Sequence, residues 1–261
     1  MRIKDAVVIV TGGASGIGGA LVRRFASEGA RHVAVVDLDG DGAEVVASEV
    51  GGTAFSVDVT SGPEVVRVVE MTESAIGPVD LFCSNAGVFV PGGAEVDDAR
   101  WQNIWEVNVM AHVHAARAVL PSMLFRGRGY LLQTSSAAGL LSQIGSAPYS
   151  VTKHAAIGFA EWLAITYGDK GIGVSVLCPQ AVRTRMTDGV TARTASVVDG
   201  MIEPDQVADA VVTGLADERF LILPHPEVLE YMRRKTSDYD RWLRGMRKLK
   251  ARLPDIAAES Q

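Results

Sequence analysis

The stretch "IVTGGASGIGGALVRRFASEG", Ile9 to Gly29, places five glycines within eight residues, between an apolar run and an amphipathic segment. Glycine weakens strands and helices, so this concentration needs a local reason. A glycine-rich turn from a strand into a helix lets the backbone approach a pyrophosphate closely, and the helix N-terminus offers free N–H groups. We therefore interpret Gly12, Gly16 and Gly18 as candidate phosphate-binding positions. A tight turn that binds no ligand is the alternative.

Short β-branched runs alternate with longer helical patterns along the rest of the chain. Strands are predicted at Ala6–Thr11, Arg31–Asp37, Thr53–Val59, Val79–Asn85, Tyr130–Ser136, Gly173–Pro179 and Arg219–Pro224. This alternation favours right-handed βαβ units and a parallel sheet covered on both faces. We predict an α/β fold, a doubly wound (Rossmann) seven-stranded parallel sheet, in one domain spanning residues 1–225. The charged helical tail, 226–261, is assigned to the same domain or to a subunit interface.

Composition and charge narrow the class of protein. The 261 residues carry a formal net charge of -6 and are 48% hydrophobic, which favours a globular core and argues against nucleic acid as a partner. The N-terminus has no cleavable leader pattern and no segment has the length of a membrane span, so we expect a cytoplasmic protein without a membrane partner. Cys83 and Cys178 lie in apolar runs and are predicted to be buried free thiols.

Asp37 closes the second predicted strand, about twenty residues after the glycine turn. A carboxylate there can accept both ribose hydroxyls of an adenosine, but it would repel a 2′-phosphate. Ser15 and Leu38, which flank this pocket in sequence, offer no positive charge to bind such a phosphate. The sequence therefore predicts NAD in preference to NADP.

Tyr149 and Lys153 are four residues apart and share one face of a predicted helix. A phenol with an ordinary pKa of about 10 is a poor base at neutral pH, but a nearby ammonium group and a positive nicotinamide ring both favour the phenolate. We expect a lowered pKa for Tyr149, which then takes the proton of an alcohol while a hydride leaves for the cofactor. An ordinary exposed pair of side chains is the alternative.

Five motifs together resemble the short-chain dehydrogenase/reductase family, in its single-domain NAD-dependent branch, over about the first 225 residues. They are Thr11 to Gly18, Asp58-Val59, "NAG" at Asn85 to Gly87, "SSAAG" at Ser135 to Gly139 and "YSVTK" at Tyr149 to Lys153. The family usually has Pro-Gly after the sixth strand, whereas this chain has Pro179-Gln180. That departure leaves the cofactor fold intact, and we expect it to place Gln180 near the position of a polar group of the substrate.

The resemblance implies roles for individual residues. Asp58 and Val59 would border the adenine, Asn85 to Gly87 would support the cofactor pocket, and Val182 and Thr184 would contact the nicotinamide end. The cofactor-binding set is Gly12, Ser15, Gly16, Ile17, Gly18, Asp37, Leu38, Asp58, Val59, Asn85, Ala86, Gly87, Tyr149, Lys153, Pro179, Val182 and Thr184. The catalytic set is Asn108, Ser136, Tyr149 and Lys153.

Ser136 is preferred over Ser135 as the donor to a developing oxyanion, because it lies at the family's spacing before Tyr149 and at the carboxyl end of a strand. Asn108 is a poor helix former among apolar residues, and by resemblance it holds the water that links Lys153 to solvent. A strand-end hydroxyl that bonds the loop backbone and a satisfied buried amide are the respective alternatives.

Other polar and aromatic residues are weaker candidates. His112 and His114 are two positions apart and point to different faces of a helix, so no metal site is predicted. Trp101 and Trp105 are interpreted as core or interface packing. The tail from Arg233 to Arg252 holds nine Lys and Arg against two Asp, and a solvated helix or a subunit arm explains it better than nucleic-acid binding.

The substrate end is predicted at the turn 140–147, at Gln180 and in a lid over 185–201 that closes over the substrate. Met186 and Val190 are the substrate-contacting candidates in this lid, whose apolar members also include Val197, Val198 and Met201. They indicate a largely hydrophobic secondary alcohol or ketone. A surface loop ordered only by lattice or subunit contacts is the alternative.

We therefore predict an NAD-dependent alcohol dehydrogenase or ketone reductase that acts on CH–OH groups of a small-molecule substrate. A 3-oxoacyl-thioester reductase is the alternative enzyme, and Asp37 counts against it because reductive synthesis generally uses NADPH. A catalytically silent NAD-binding regulatory protein is the alternative outside enzymes. Family members mostly form two-fold symmetric dimers or tetramers, and the apolar faces of residues 110–120 and 155–165 predict a homotetramer, with a homodimer as the alternative.

Overall fold

The computed structural model describes residues 1–187 and 200–253, and it contains a seven-stranded parallel sheet. The strands are β1 (Val7–Thr11), β2 (His32–Asp37), β3 (Thr53–Ser56), β4 (Leu81–Ser84), β5 (Gly129–Thr134), β6 (Ile172–Leu177) and β7 (Leu221–Ile222). Their order across the sheet is β3-β2-β1-β4-β5-β6-β7, so the direction of winding reverses between β1 and β4. The predicted doubly wound α/β fold is confirmed.

Helices cover both faces of the sheet. Those in the described ranges are α1 (Gly16–Ser27), α2 (Gly40–Val50), α3 (Gly62–Ala75), α4 (Asp98–Trp105), α5 (Ala111–Arg126), α6 (Ala138–Leu141), α7 (Ala147–Tyr167), α8 (Pro204–Ala216), α9 (Glu227–Ser237) and α10 (Tyr239–Lys250). A π-helical turn, Glu106–Met110, joins α4 to α5. None of these ten described helices is both long enough and apolar enough to cross a membrane.

Side chains of the central strands alternate between two apolar layers. Val8 and Val10 of β1 pack with α1, α2 and α8, whereas Ile9 packs on the opposite face with α3, α5 and α7. The two cysteines follow the same division, and both are buried free thiols as predicted: Cys83 lies in the first layer and Cys178 in the second. Burial on both faces is the reason that the strands are almost continuously apolar.

Several strands end earlier than the sequence predicts. β3 stops at Ser56 and not at Val59, because the Asp58 side chain accepts the N–H of Thr60 (2.9 Å) and turns the chain away from the sheet. β5 stops at Thr134, so the serines that follow it lie in a loop. β7 has only two residues, at the edge of the sheet. Polar residues predicted at strand ends therefore lie in loops beyond the carboxyl edge.

The charged tail folds back onto the sheet body. Val228 of α9 is fully buried against Ala137 and Leu141. The Lys235 ammonium group donates to the carbonyl oxygen of Leu140 (2.6 Å), which fixes the other end of α9 on α6. Because α10 follows directly, it is held beside the loop that comes after β5.

Candidate active site

One cavity of about 880 Å³ runs along the carboxyl edge of the sheet, where ligands bind in doubly wound folds. The predicted residues that line it are Gly12, Ser15, Gly16, Ile17, Asp37, Leu38, Asp58, Val59, Asn85, Ala86, Gly87, Ser136, Tyr149, Lys153, Pro179, Gln180, Val182, Thr184 and Met186. Gly18 and Asn108 do not line it, and Val190 lies outside the described residues. The fold thus brings residues from all the predicted motifs to a single cavity.

The glycine turn packs tightly between β1 and α1. Gly12 and Gly16 have φ angles of +67° and +53°, which L side chains rarely adopt. A Cβ at Gly12 would lie 2.9 Å from Ala86 Cα, and a Cβ at Gly18 would overlap the carbonyl oxygen of Gly12. The N-cap Ser15 makes no capping bond, and the first turn of α1 contains no acidic residue. The positive end of α1 is therefore unopposed, which fits a pyrophosphate.

Asp37 lines the cavity at the end of β2. Its carboxylate accepts the N–H of Ala14 (3.0 Å) and the N–H of Asp39 (3.0 Å), so the side chain is held in one orientation. A carboxylate has about four acceptor sites, and those left over can receive the hydroxyl groups of a ribose. The residues at this end of the cavity therefore fit the adenosine half of a dinucleotide.

A cation reaches the same region from a distant part of the chain. Arg185 lies 4.0 Å from the Asp39 carboxylate, and its side chain is 79% exposed. The sequence predicts a pocket without a basic neighbour from Ser15 and Leu38 alone. Arg185, which is distant in sequence, corrects that prediction. An exposed pair at this distance contributes little to stability, but Arg185 also lines the cavity and brings a positive charge to the end that contains Asp37.

Asn85 joins three strand ends behind the cavity. Its Nδ2 donates to the carbonyl oxygen of Thr11 (3.1 Å), and its Oδ1 accepts the hydroxyl of Thr134 (3.2 Å). Its own N–H and that of Ala86 both donate to the Thr11 hydroxyl (3.0 and 3.2 Å). The "NAG" motif therefore holds β1, β4 and β5 together beside the glycine turn.

Tyr149, Lys153 and Ser136 converge in the middle of the cavity. The Lys153 Nζ lies 5.6 Å from the centre of the Tyr149 ring and donates to the carbonyl oxygen of Thr134 (3.1 Å). Ser136 lies close enough to Tyr149 to influence its pKa, and its Oγ accepts the N–H of Ala138 (3.1 Å). A hydroxyl, a phenol and an ammonium group are thus arranged around one point.

The adjacent serines have different partners. The Ser135 hydroxyl donates to the backbone carbonyl of Lys153 (2.8 Å), which ties the loop after β5 to α7. Ser136 Oγ lies beside Tyr149 and 3.3 Å from the carbonyl oxygen of Pro179. Of the two hydroxyls, that of Ser136 is the one placed to bond an oxygen next to the tyrosine.

Burial shifts the pKa values of both central groups. It raises the pKa of Tyr149, against the opposing effect of the neighbouring Ser136 hydroxyl, and it lowers the pKa of Lys153 to about 8. The sequence-based expectation of a lowered Tyr149 pKa therefore does not describe the protein alone. That expectation included the positive charge of a bound nicotinamide ring, which would act in the opposite direction to burial.

Asn108 lies in the π-helical turn and is fully buried. Its Oδ1 accepts the N–H of Val88 (2.9 Å), and its Nδ2 donates to the carbonyl oxygen of Val88 (3.0 Å) and to Thr152 (3.3 Å). A Cβ at Gly87 would lie 3.3 Å from Asn108 Oδ1 and 3.4 Å from Lys153 Nζ. Asn108 and Lys153 therefore meet behind Gly87, and glycine leaves the space that they share.

The residues at the substrate end come partly from the predicted segments. Gln180 lines the cavity, and its Oε1 is buried with no hydrogen-bond partner among the described residues. Met186 also lines the cavity and is 45% exposed. Of the predicted lid, 188–199 lie outside the described residues, and with them Val190, Val197 and Val198.

Sequence reasoning missed a wall of this cavity. The ring of Phe89 packs edge-on against Tyr149, with centroids 5.1 Å apart. The tail lines the cavity with Tyr231, Arg234, Arg241, Trp242, Gly245, Met246 and Leu249. The helical spacing of Trp242, Met246 and Leu249 in a charged segment was a visible signal of a helix with one apolar face, but it did not show what that face covers.

Comparisons with known proteins agree with this geometry. The family model described as short chain dehydrogenase matches residues 6–195. The chain is 36% identical over 247 residues to 1-deoxy-11-beta-hydroxypentalenate dehydrogenase of Streptomyces exfoliatus, covering 91% of this chain and 90% of the relative. It is 30% identical to meso-2,3-butanediol dehydrogenase of Serratia marcescens, covering 84% and 90%.

Solved structures show the same architecture. A short chain dehydrogenase/reductase from Burkholderia phymatum, in complex with NAD, superposes with a TM-score of 0.83 at 28% identity and covers 92% of this chain and 96% of its own.

Proposed function

The chain belongs to the short-chain dehydrogenase family, and we propose that it is an NAD-dependent oxidoreductase that transfers a hydride between the nicotinamide ring and a mainly hydrophobic secondary alcohol or ketone. Oxidoreductase chemistry on a hydroxyl or ketone is the property of the family. The choice of NAD, the hydrophobic substrate and the roles of individual residues are our proposal.

One observation carries the proposal: the Tyr149, Lys153 and Ser136 cluster lies in the same cavity as Asp37 and the open end of α1. A group held at the glycine turn and at Asp37 would extend toward Tyr149 along this cavity. Bound NAD would supply the hydride acceptor or donor. Gly12, Gly16 and Asp37 would hold its pyrophosphate and ribose.

Residues of the chain would transfer the proton to or from the substrate oxygen. Tyr149, with a pKa raised by burial, is protonated at neutral pH and would donate its proton to the substrate oxygen in ketone reduction. In alcohol oxidation it would accept that proton, which requires nearby positive charge from Lys153. Ser136 would donate a hydrogen bond to the same oxygen, and Asn108 would position the lysine region through Val88 and Thr152.

A hydrophobic substrate is supported by the wall of the cavity away from Asp37. Phe89, Leu141, Trp242, Met246 and Leu249 line it. Gln180, whose side-chain oxygen has no partner within the described ranges, would bond one polar group. The relatives are named for a hydroxypentalenate and for 2,3-butanediol, which are alcohols of different size.

The test is NADH oxidation with a panel of ketones from acetoin to trans-1-decalone, using wild type, Tyr149→Phe and the control Tyr239→Phe. Tyr239 is exposed and does not line the cavity. We expect turnover to fall by about a hundredfold or more in Tyr149→Phe and to persist in the control, because loss of a general acid–base group has that effect. NADH binding should be unchanged in both, whereas Lys153→Met should weaken binding and turnover together.

Three outcomes would contradict the proposal. Activity of Tyr149→Phe within about tenfold of wild type would remove the tyrosine from proton transfer. Tight NADH binding without turnover of any ketone would favour the catalytically silent regulatory protein. A clear preference for NADPH and a 3-oxoacyl thioester would favour the acyl-thioester reductase.

A further inference from the structure

The tail helix α10 presents an unusual combination of side chains to the cavity. Its cavity-lining residues are Arg241, Trp242, Gly245, Met246 and Leu249, which share one helical face. Four of the five are uncharged, while the remaining basic residues of α10, such as Arg244 and Arg247, do not line the cavity. Arg241 is therefore the one charged residue that α10 presents to the cavity, where it lies exposed beside apolar side chains.

Arg241 has no acidic partner in the described part of the chain. Within the described residues some exposed arginines pair with carboxylates, as Arg183 does with Glu203 (2.7 Å) and Arg234 with Glu230 (2.9 Å), and others, such as Arg244, do not. Asp238 caps α10 by accepting the backbone N–H of Arg241 (2.9 Å), and Asp240, which directly precedes Arg241, forms no ion pair with it in the described structure. The guanidinium group of Arg241 is thus available to a ligand.

The charge around this end of the cavity is positive although the protein is acidic. The acidic residues that line the cavity are Asp37 and Asp58, both at the end assigned to adenosine. Arg234 and Arg241 line the other end, and Arg234 is already paired with Glu230. In a chain of net charge -6, this local surplus of positive charge indicates an anionic ligand group.

The tail is anchored at the reacting end of the cavity. Trp242, the neighbour of Arg241, packs with the cluster of Ala137 and Leu141, which follows Ser136 directly in the chain. Lys235 holds α9 to Leu140 (2.6 Å) of α6, the helix that follows β5. Arg241, next to Trp242 on α10, therefore lies on the helix that packs against the segment following Ser136, away from the end of the cavity that contains Asp37.

We infer that the substrate is an apolar alcohol or ketone that also carries a carboxylate, and that Arg241 binds this carboxylate at the outer end of the cavity. This inference rests on the proposed function, because it names the substrate class of the same site. Trp242, Met246 and Leu249 would cover the hydrocarbon body. A guanidinium fork bonds both oxygens of a carboxylate in one plane, which gives it an advantage over a neutral group of the same shape.

Calorimetric titration of the full chain with two probes of equal shape, adamantane-1-carboxylate and adamantane-1-carboxamide, tests this inference without turnover. The titrations are made with saturating NADH and without it, on wild type, Arg241→Gln and the control Arg244→Gln. Arg244 is exposed on the same helix and does not line the cavity. We expect wild type and the control to prefer the carboxylate by about tenfold or more, and Arg241→Gln to lose that preference while still binding the carboxamide.

Equal binding of the two probes by wild type would overturn the inference, and so would a preference that survives in Arg241→Gln. Weakened NADH binding in Arg241→Gln, with the probe preference intact, would assign the arginine to the cofactor and overturn it too. Failure of the proposed function is distinguished by the separate assay of ketone turnover. The titrations measure only binding, because neither probe contains a ketone.

Discussion

The charged form of Lys153 is destabilised by burial of its ammonium group. Its Nζ is buried, bonds only one carbonyl oxygen, that of Thr134, in the described structure and has a pKa lowered to about 8 by burial. His112, one turn after Asn108, is buried too, and burial followed by the charge of Lys153 lowers its pKa to about 3. The histidine is therefore neutral at physiological pH, and Lys153 is the buried cation of this region.

From the lowered pKa of Lys153 we predict that the free energy of unfolding depends on pH. The unfolded chain keeps the lysine proton up to its ordinary pKa of 10.5, whereas the folded protein releases it near about 8. Because the unfolded state binds more protons between these values, the free energy of unfolding contributed by this group rises with pH. Relative to Lys153→Met, wild type should gain about 2 kcal/mol between about pH 7.5 and about pH 9.5 in urea titrations.

The comparison with Lys153→Met cancels the effect of the buried thiols. Burial raises the pKa of Cys178 to about 12, and burial also raises the pKa of Cys83. Both thiols therefore lower the stability of the folded protein at alkaline pH in either variant. A difference between the two proteins that stays constant over this range would show that Lys153 is not desolvated.

From the position of Asp37 we predict a preference for NADH over NADPH. Its two backbone hydrogen bonds fix a negative charge where a 2′-phosphate would lie, so NADH should bind at least about tenfold more tightly than NADPH. Asp37→Ala should reduce the difference between the NADH and NADPH affinities. The control Asp41→Ala should leave this difference unchanged, because Asp41 is exposed on α2 and does not line the cavity. Fluorescence titrations with both cofactors measure the gap, and equal affinities in wild type would reject the prediction.

At the scale of elements, the contact between β1 and α1 depends on the absence of one side chain. A methyl group at Gly18 would overlap the carbonyl oxygen of Gly12, while a methyl group at Gly158 in α7 would meet nothing within 4 Å. Both glycines are helical, so their intrinsic helix propensities are the same. Their different surroundings therefore separate a packing requirement from a propensity effect.

This pair gives a matched test. Gly18→Ala should push α1 away from β1, weaken NADH binding and lower the free energy of unfolding by about 1 to 3 kcal/mol. Gly158→Ala should raise it by up to about 1 kcal/mol and leave NADH binding unchanged, because alanine is the better helix former. Chemical denaturation and NADH titration of both variants decide the matter. If Gly18→Ala changes neither the free energy of unfolding nor NADH binding, the predicted clash with the carbonyl oxygen of Gly12 does not occur.

At the scale of the whole molecule, α7 leaves apolar side chains in solvent. Ile165 is 85% exposed and Trp162 is 52% exposed, both within the face predicted to pair subunits. Phe125, at the end of α5, is 94% exposed. Exposed apolar groups on two neighbouring helices are a feature of protein–protein contacts.

We predict a homotetramer in solution, with this face in one of its two-fold contacts. Ile165→Glu should reduce the mass measured by light scattering at micromolar concentration, because it places a charge in an apolar contact. The control Val45→Glu alters an exposed apolar residue of α2 and should leave the mass unchanged. A monomeric wild type would overturn the prediction of assembly.

The amino-acid sequence by itself determined the order of elements, the doubly wound sheet and the set of motifs that line the cavity. These follow from local physics, since strand and helix periodicities, the glycine turn and the Tyr149–Lys153 spacing all act over a few residues. The tertiary structure alone decided which groups from distant segments meet. Arg185 comes close to Asp39, and the tail sets Arg241 and Trp242 into the cavity wall. Such contacts depend on how helices pack on a sheet, and no short-range pattern encodes them.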